Sequence, residues 1–372
     1  MRSIIETSHG GNHRRMALGN SVTVLQHVYR QALISQRQII KQTGMQPSTV
    51  SNIIRELKAA GIVRESGTLE ATGVGAKQVS LEINASFAWV ASWHIDLMGQ
   101  RLCLLNAAGH IVAIENFPSD FNSWKAIAES IHERIAALAE TRRLPMNRYA
   151  GLGIAVQGIV DSDRGEVIYS HPHRMEAVPL REMISGKQKG LVHVERDTCC
   201  GAYLEQNIVP IGEEKSFLYF LQRKYDTFFS RGASIVLDGK IYYGRKSVAG
   251  ELPLELFPSP PFETLKTEKD WDDLYRSFGR PMAMLADFLD VDEIILSSED
   301  PGLTSRRFQL IQDEIKSFVR PLQGRSITVT QSQSGPDGIL IGAGLMVLHQ
   351  YFHRFALTLP NRSMARKRTK AV

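Results

Sequence analysis

Seven residues near the start of this 372-residue chain have side chains suited to reading nucleic acid. Gln46, Ser48, Thr49, Ser51, Asn52 and Arg55 crowd one short stretch, and Lys77 follows. Short hydroxyls and amides exchange hydrogen bonds with base edges, and Arg and Lys also meet guanine or phosphate. Further on, Asp96, Gln157 and Asp197 stand where apolar runs give way to polar residues. In open α/β sheets such strand ends are where ligands sit. The three cysteines, Cys103, Cys199 and Cys200, are odd in number and two are adjacent. They fit a reducing cytoplasm better than a disulfide framework.

The base-reading residues need a scaffold, and the flanking pattern supplies one. Asn20 and Ser21 precede Val22, Leu25, Val28, Tyr29 and Leu33, which recur at helical spacing. Ser35 and Gln38 form a capping-box pattern for a helix over 36–43, which Gly44 ends. Pro47 suits the first position of a third helix, with Gln46 as its cap. That helix carries Val50, Ile53, Ile54 and Leu57 on one face and the polar set on the other, and stops at Gly61. A strand near Ile62–Glu65, glycines at 67, 73 and 75, and alternation over Lys77–Ile83 predict a two-stranded wing. A packing module with no role on DNA would need only the three helices. The polar face, the caps and the wing together point to a winged helix-turn-helix.

Charge agrees with that placement. The chain is net +5 overall, but residues 1–84 hold ten Lys and Arg against five Asp and Glu. The last eleven residues, 362–372, hold Arg362, Arg366, Lys367, Arg368 and Lys370 and no acid. The body between them, 85–361, is net −5. Basic ends suit a polyanion, because neutralising phosphates supplies sequence-independent affinity. The tail reads equally as a phosphate-contacting arm or a solvated, disordered end. Hydrophobic residues at 43% and charged residues at 22% exclude a disordered, collagen-like or disulfide-rich chain. No apolar run approaches the roughly 18 residues of a membrane span, and the N-terminus lacks the apolar core of a signal peptide.

The body alternates strands with helices, which places it in the α/β class. Strands are expected at Trp89–Asp96, Gln100–Leu105, His110–Phe117, Gly151–Val156 and Leu191–Glu195, with a helix over Trp124–Glu140. A similar order recurs around Phe217–Leu221 and Ile235–Tyr243, and turns at Gly109 and Gly239 suggest a duplicated architecture.

At this point the chain resembles the ROK family of repressors, open reading frames and sugar kinases. The resemblance rests on Gly151–Asp161, on Val194–Asp197 with Ala202–Glu205, and on Leu237–Gly244 running to Ala249-Gly250-Glu251. The front end is similar to that of the family's xylose-type repressors. The resemblance implies a two-lobed actin-like ATPase (ribonuclease H-like) fold with a sugar cleft between the lobes. It divides the chain into a head (1–84), a first lobe (85–200), a second lobe (201–337), a C-terminal helix returning to the first lobe (338–361) and a basic tail (362–372). It carries sugar contacts onto Gly158, Asp197 and Glu251, with Asp197 as the position of a kinase's general base. Arg196 stands where the family has asparagine. It could pair with Asp197, or receive a sugar acid or sugar phosphate.

The chain departs from the kinases of that family. The first phosphate loop reads Asp96-Leu97-Met98-Gly99-Gln100, without its first glycine or its threonine. The second reads Phe228-Phe229-Ser230-Arg231-Gly232, and phenylalanines offer no close backbone cradle for phosphate. A third expected glycine turn reads Ser297-Ser298-Glu299. Leu254, after Pro253, replaces a zinc-binding histidine, and Phe257–Pro261 lacks the cysteines. Neither ATP nor zinc is expected as a cofactor. The expected function is sequence-specific binding to a double-stranded DNA operator as a homodimer or homotetramer, most simply as a repressor of a carbohydrate-related operon. A sugar, sugar phosphate or sugar acid effector would bind the inactive cleft. Two alternatives stay open: an ATP-dependent sugar kinase with an appended DNA-binding head, and an effector-independent DNA-binding scaffold whose cleft is closed by Phe228, Phe229 and Leu254. Val347, Leu348 and Tyr351 of the last helix could belong to the core or to an interface.

Overall fold

The structure, a computed structural model, describes residues 9–31, 33–69, 78–97, 99–118, 124–170, 175–186, 190–208, 215–252, 254–319 and 326–358. Gly73, Gly75, Lys77, Met98, Pro253 and the basic tail lie outside the described residues. The head is α1 (His9–Arg30), β1 (Ile34–Ser35), α2 (Gln36–Thr43), α3 (Pro47–Ala59), β2 (Val63–Leu69) and β3 (Gln78–Ile83). α1 begins well before Asn20, and Leu33 is not on its apolar face. Leu33 lies past the helix end with φ +68° and is exposed. Ser35 Oγ accepts from Gln38 N–H at 3.2 Å and Gln38 Oε1 accepts from Ser35 N–H at 2.7 Å, which closes the capping box. Gly44 at φ +66° ends α2, a left-handed conformation that favours glycine. Antiparallel β2 and β3 make the wing, with β1 added beside β3.

The first lobe contains β4 (Trp89–Ile95), β5 (Gln100–Asn106), β6 (Ile111–Phe117), α4 (Trp124–Thr141), β7 (Tyr149–Val156), β8 (Ile159–Asp161), β9 (Glu166–Ser170), β10 (Met175–Val178), α5 (Leu180–Ser185), β11 (Leu191–Arg196) and α6 (Asp197–Ile208). The second contains β12 (Phe217–Lys224), β13 (Phe229–Leu237), β14 (Lys240–Ile241), α7 (Glu268–Ser277), α8 (Gly279–Leu289), β15 (Glu293–Ser298), α9 (Ser305–Phe318) and β16 (Thr328–Gln331). The closing helix is α10 (Gly338–Ala356). The duplication expected from the two turns is visible in the sheets. One runs β6-β5-β4-β7-β11 and the other β14-β13-β12-β15-β16, each with two antiparallel pairings followed by two parallel ones. β14 is shorter than expected and ends before Tyr242.

α10 packs on the first-lobe sheet through backbone-close contacts. A Cβ on Gly342 would come within 1.9 Å of Cys200 O, and one on Gly153 within 2.2 Å of Ala343 O. Glycine at both positions lets α10 lie close against α6 and β7. Val347, Leu348 and Phe352 of α10 are buried in one cluster with Leu25 and Val28 of α1, Ile39 of α2 and Val90 and Leu105 of the sheet. The head and first lobe therefore share a continuous apolar core, and Val347 and Leu348 are core residues. Tyr351 is half-buried against Phe87.

Candidate functional site

α3 carries the first candidate site. Ser48, Ser51, Asn52 and Arg55 are exposed and Thr49 is half-buried, while Val50, Ile53, Ile54 and Leu57 anchor the opposite face. Gln46 occupies the cap position and is exposed, but its side chain makes no capping bond. Arg55 Nη2 donates to Asn52 Oδ1 at 2.7 Å, so these two exposed polar groups are paired one turn apart. Exposed donors and acceptors along one helix face are the equipment for a major-groove contact.

The second candidate site lies between the lobes, at the carboxyl ends of β4, β7, β11 and β12. Asp197 does not start a loop as its position at a strand end suggested. β11 runs straight into α6, and Asp197 is that helix's first residue. Its Oδ1 accepts from Thr198 N–H at 2.7 Å, and its Oδ2 accepts from Arg223 Nη1 at 2.7 Å. Both side chains of this inter-lobe pair are 5% exposed. Arg223 also reaches Glu299 at 3.5 Å and His94 Nε2 at 3.4 Å. Burial disfavours the charge of Arg223, yet Asp197 and Glu299 hold its pKa above the ordinary guanidinium value.

Arg196 pairs with Glu251 at 3.1 Å and not with Asp197. It also donates to Ala249 O at 2.8 Å, which fastens it to the loop before Glu251, while its Nε is buried without a hydrogen-bond partner. Burial and the nearby Asp197 push the Glu251 carboxyl above the usual carboxylate range, against the pull of Arg196. Burial would likewise raise Glu195 beneath them, but His193 and the Tyr243 hydroxyl, 2.8 Å away, hold it low. Gly158 sits at φ +151°, and a Cβ there would come within 2.5 Å of Tyr169 O. Beside it, Gln157 Nε2 donates to Ser230 Oγ at 2.6 Å across the cleft. Three cross-lobe contacts, Arg223–Asp197, Arg196–Glu251 and Gln157–Ser230, thus occupy the polar groups a sugar would use.

The phosphate-loop positions are filled by packing. Asp96 Oδ1 accepts from Gly99 N–H at 3.1 Å within the β4–β5 turn. At the β12–β13 turn Tyr225 N–H donates to Phe228 O at 2.9 Å, a tight hairpin in place of a glycine cradle. Phe229 is buried in the second lobe's own core against Phe262, Trp271, Tyr275 and Phe278. Phe228 does not share that role: it is 41% exposed and rests on Tyr225. Arg231 lies over Phe229 and Phe278, and burial lowers its pKa to about 10. Cys199 and Cys200 are buried, and burial raises the Cys199 thiol to about 12. Among the described residues, no cluster of His, Cys, Asp and Glu is arranged to hold a metal ion, and no helix is long and apolar enough to cross a membrane.

α6 joins the cleft to the head. Asp197 begins it, and near its other end Gln206 O accepts from Arg30 of α1 at 2.8 Å. Gln206 also donates to Gly239 O of the second-lobe hairpin. Beside them Tyr29 of α1 stacks on His349 of α10 with ring centroids 4.0 Å apart, and His349 bonds the Tyr203 hydroxyl. Sequence reasoning missed Arg223 and this junction. A charge inside the apolar run Phe217–Lys224 was the available signal, since a buried arginine needs a partner.

The ROK family model matches residues 98–253 and the MarR family model residues 19–68. The xylose repressor of Caldicellulosiruptor bescii is 24% identical over 243 residues, 65% of this chain and 59% of that protein. The xylose repressor of Staphylococcus xylosus is 23% identical over 339 residues, 88% of this chain and 82% of that protein. The match spans 59% of the length of the first curated relatives. A solved structure of a ROK family transcriptional regulator, a homolog of the E. coli MLC protein, aligns with TM-score 0.72 and 18% identity over 92% of this chain and 99% of that one. That likeness establishes the fold: a helix-turn-helix head on an actin-like two-lobed body.

Proposed function

Because this chain places a MarR-type helix-turn-helix segment ahead of a ROK-family body, we propose that it is a DNA-binding transcription regulator, acting as a repressor of a carbohydrate-related operon. The observation that carries this reading is the exposed polar face of α3, on a head whose core is continuous with the first lobe. Gln46, Ser48, Thr49, Ser51, Asn52 and Arg55 contact the operator in this reading, with Lys77 in the wing. Two heads of a homo-oligomer meet half-sites about one helical turn, or a multiple of it, apart.

Gly158, Asp197 and Glu251 supply the effector contacts, with Arg196 as the counter-ion of Glu251. A sugar derivative donating hydroxyls to Asp197 replaces the hydrogen bond from Arg223, and α6 carries the displacement to Arg30. A ligand changes operator affinity only by as much as it prefers one lobe arrangement. The same division of labour assigns 1–84 to DNA, 85–337 to the lobes, 338–361 to the strut between them and 362–372 to an accessory tail. The relatives reported above are named xylose repressors, and the pairing of Asp197 with Arg223 argues against general-base catalysis here.

An electrophoretic mobility shift with the chain's own promoter region tests the reading. Specific retardation that falls with Asn52→Ala or Arg55→Ala is expected. The absence of a specific footprint there and genome-wide would overturn it. A second reading, an effector-independent scaffold, draws on the cross-lobe contacts that fill the cleft. A thermal-shift panel of sugars, sugar phosphates and sugar acids separates the two: a ligand at 100 times its Kd raises stability by about 2.7 kcal/mol, and a flat panel favours the scaffold.

A further inference from the structure

A recess of about 1460 Å³ opens where the head meets both lobes; it borders the cleft through His193, Tyr243 and Ser247, but Arg196, Asp197, Arg223 and Glu251 are not in its lining. Gln26 and Tyr29 of α1 form one wall, α10 another, and the β14 segment with the loop after it a third. It exceeds the roughly 300–1,000 Å³ of an ordinary small-molecule site. Its charge runs against that of the body around it. Residues 85–361 are net −5, yet the recess is lined by Arg181, Lys240, Arg245 and Arg354, beside an Arg164–Asp161 pair 3.7 Å apart. Asp163 is the other carboxylate in the lining.

Lys240, Arg245 and Arg354 have no carboxylate within ion-pair distance among the described residues. Arg181 donates to the carbonyls of Ser162 and Asp163, its charge is faced by the Asp163 and Asp161 carboxylates, and its Nε is buried without a hydrogen-bond partner. Three cations without an ion-pair partner, Lys240 and Arg245 of the β14 segment and the loop after it and Arg354 of α10, therefore line one hollow with Arg181 of α5. Uncompensated cations around one hollow favour an anion within it. A phosphate or carboxylate takes charge-assisted hydrogen bonds from guanidinium and ammonium groups.

We propose that this recess is a binding site for a small anionic metabolite, bearing phosphate or carboxylate groups, and that it adjoins the inter-lobe cleft without using the Asp197–Arg223 and Arg196–Glu251 pairs. Bound there, the anion joins the second-lobe hairpin to α10 and lies against α1, so it holds the second lobe to the head. A small anion fits a concave hollow walled on three sides, whereas a duplex presents its phosphates on a convex surface. The site stands whether or not the head reads an operator.

Isothermal titration of the full chain with sodium pyrophosphate, and separately with citrate, at constant ionic strength tests it. Saturable binding is expected for at least one of them. The double variant K240E/R245E should weaken that binding at least about tenfold, and R354E, on a different element, by several-fold. Unchanged melting temperatures identify which of these variants are folded and usable. Absence of saturable heat with both probes in the unmodified chain, or affinity unchanged within twofold in a folded variant, overturns the proposal. So does a scrambled DNA duplex that binds and is weakened by these variants while neither small anion binds, which would make the surface a DNA track.

Discussion

Replacing Arg223 with methionine should destabilise the protein severely, and the magnitude follows from the pair it breaks. Asp197 and Arg223 lie 2.7 Å apart with side chains 5% exposed, so neither charge has bulk water to fall back on. In Arg223→Met the Asp197 carboxylate keeps the Thr198 N–H, 2.7 Å away, but loses its counter-ion. Removing one member of a buried pair costs about 3–5 kcal/mol, because the survivor remains desolvated. Asp197→Leu should cost less, about 2 kcal/mol, since Arg223 retains Glu299 at 3.5 Å. With both charges removed the desolvation disappears, and the double variant should be no worse than Arg223→Met alone. Urea unfolding followed by tryptophan fluorescence reads this in both lobes, through Trp89 and Trp93 in the first and Trp271 in the second. A loss below about 1 kcal/mol in Arg223→Met, or strictly additive single and double variants, would refute a buried, mutually dependent pair.

Three further outcomes follow from particular contacts. Gly342→Ala should lower stability by about 1–3 kcal/mol, the usual range for overpacking, because its Cβ would come within 1.9 Å of Cys200 O; a melting temperature unchanged from the parent would show that α6 and α10 do not approach as described. Phe229→Ala should cost about 3–5 kcal/mol while Phe228→Ala changes stability little, since Phe229 is buried and Phe228 is 41% exposed; equal urea midpoints would contradict that contrast. Burial, reinforced by the positive Arg30, lowers the His349 pKa from 6.5 to about 3, so the unfolded chain takes up this proton first. Its contribution is whole above pH 6.5 and is lost as pH falls toward 3, by about 2 kcal/mol between pH 7 and 5. His349→Gln should flatten that part of the urea-midpoint profile, and an identical profile in both proteins would sink the assignment.

Local chemistry made the head readable. Ser35, Gln38, Gly44 and Pro47 act within a few residues of themselves, and the burial of Val50, Ile53, Ile54 and Leu57 follows from helical spacing alone. α1 escaped the same treatment at its start, because the residues from His9 to Gly19 carry no apolar stripe to mark a helix. The paired hairpins at Gly109 and Gly239 were visible for a related reason: both turns need positive φ, +81° and +68°. The cleft was legible in its residue types but not in its pairings. Arg196 and Asp197 are neighbours in the chain, yet adjacent residues diverge at a strand-to-helix junction. Arg196 faces Glu251, and Asp197 faces Arg223. Which partner each finds depends on how the second lobe meets the first, and residue spacing carries no trace of that.

The route from cleft to head is short because α6 is the wall of one and the support of the other. From Asp197 to Gln206 the helix rises only about 14 Å. Its side is locked to α10 by the approach of Gly342 to Cys200, so the two helices cannot slide independently. On the proposed reading, a ligand displacing Asp197 would reach two places together: Arg30, through Gln206 O, and the Tyr29–His349 stack, through Tyr203. Both lie near the C-terminal end of α1, while the apolar face of that helix belongs to the core shared by α3 and α10. A rigid shift of α6 then reorients the head as a body and leaves α3 intact. In the homo-oligomer proposed above, a ligand in the cleft would consequently alter the distance between two α3 helices more than the shape of either one.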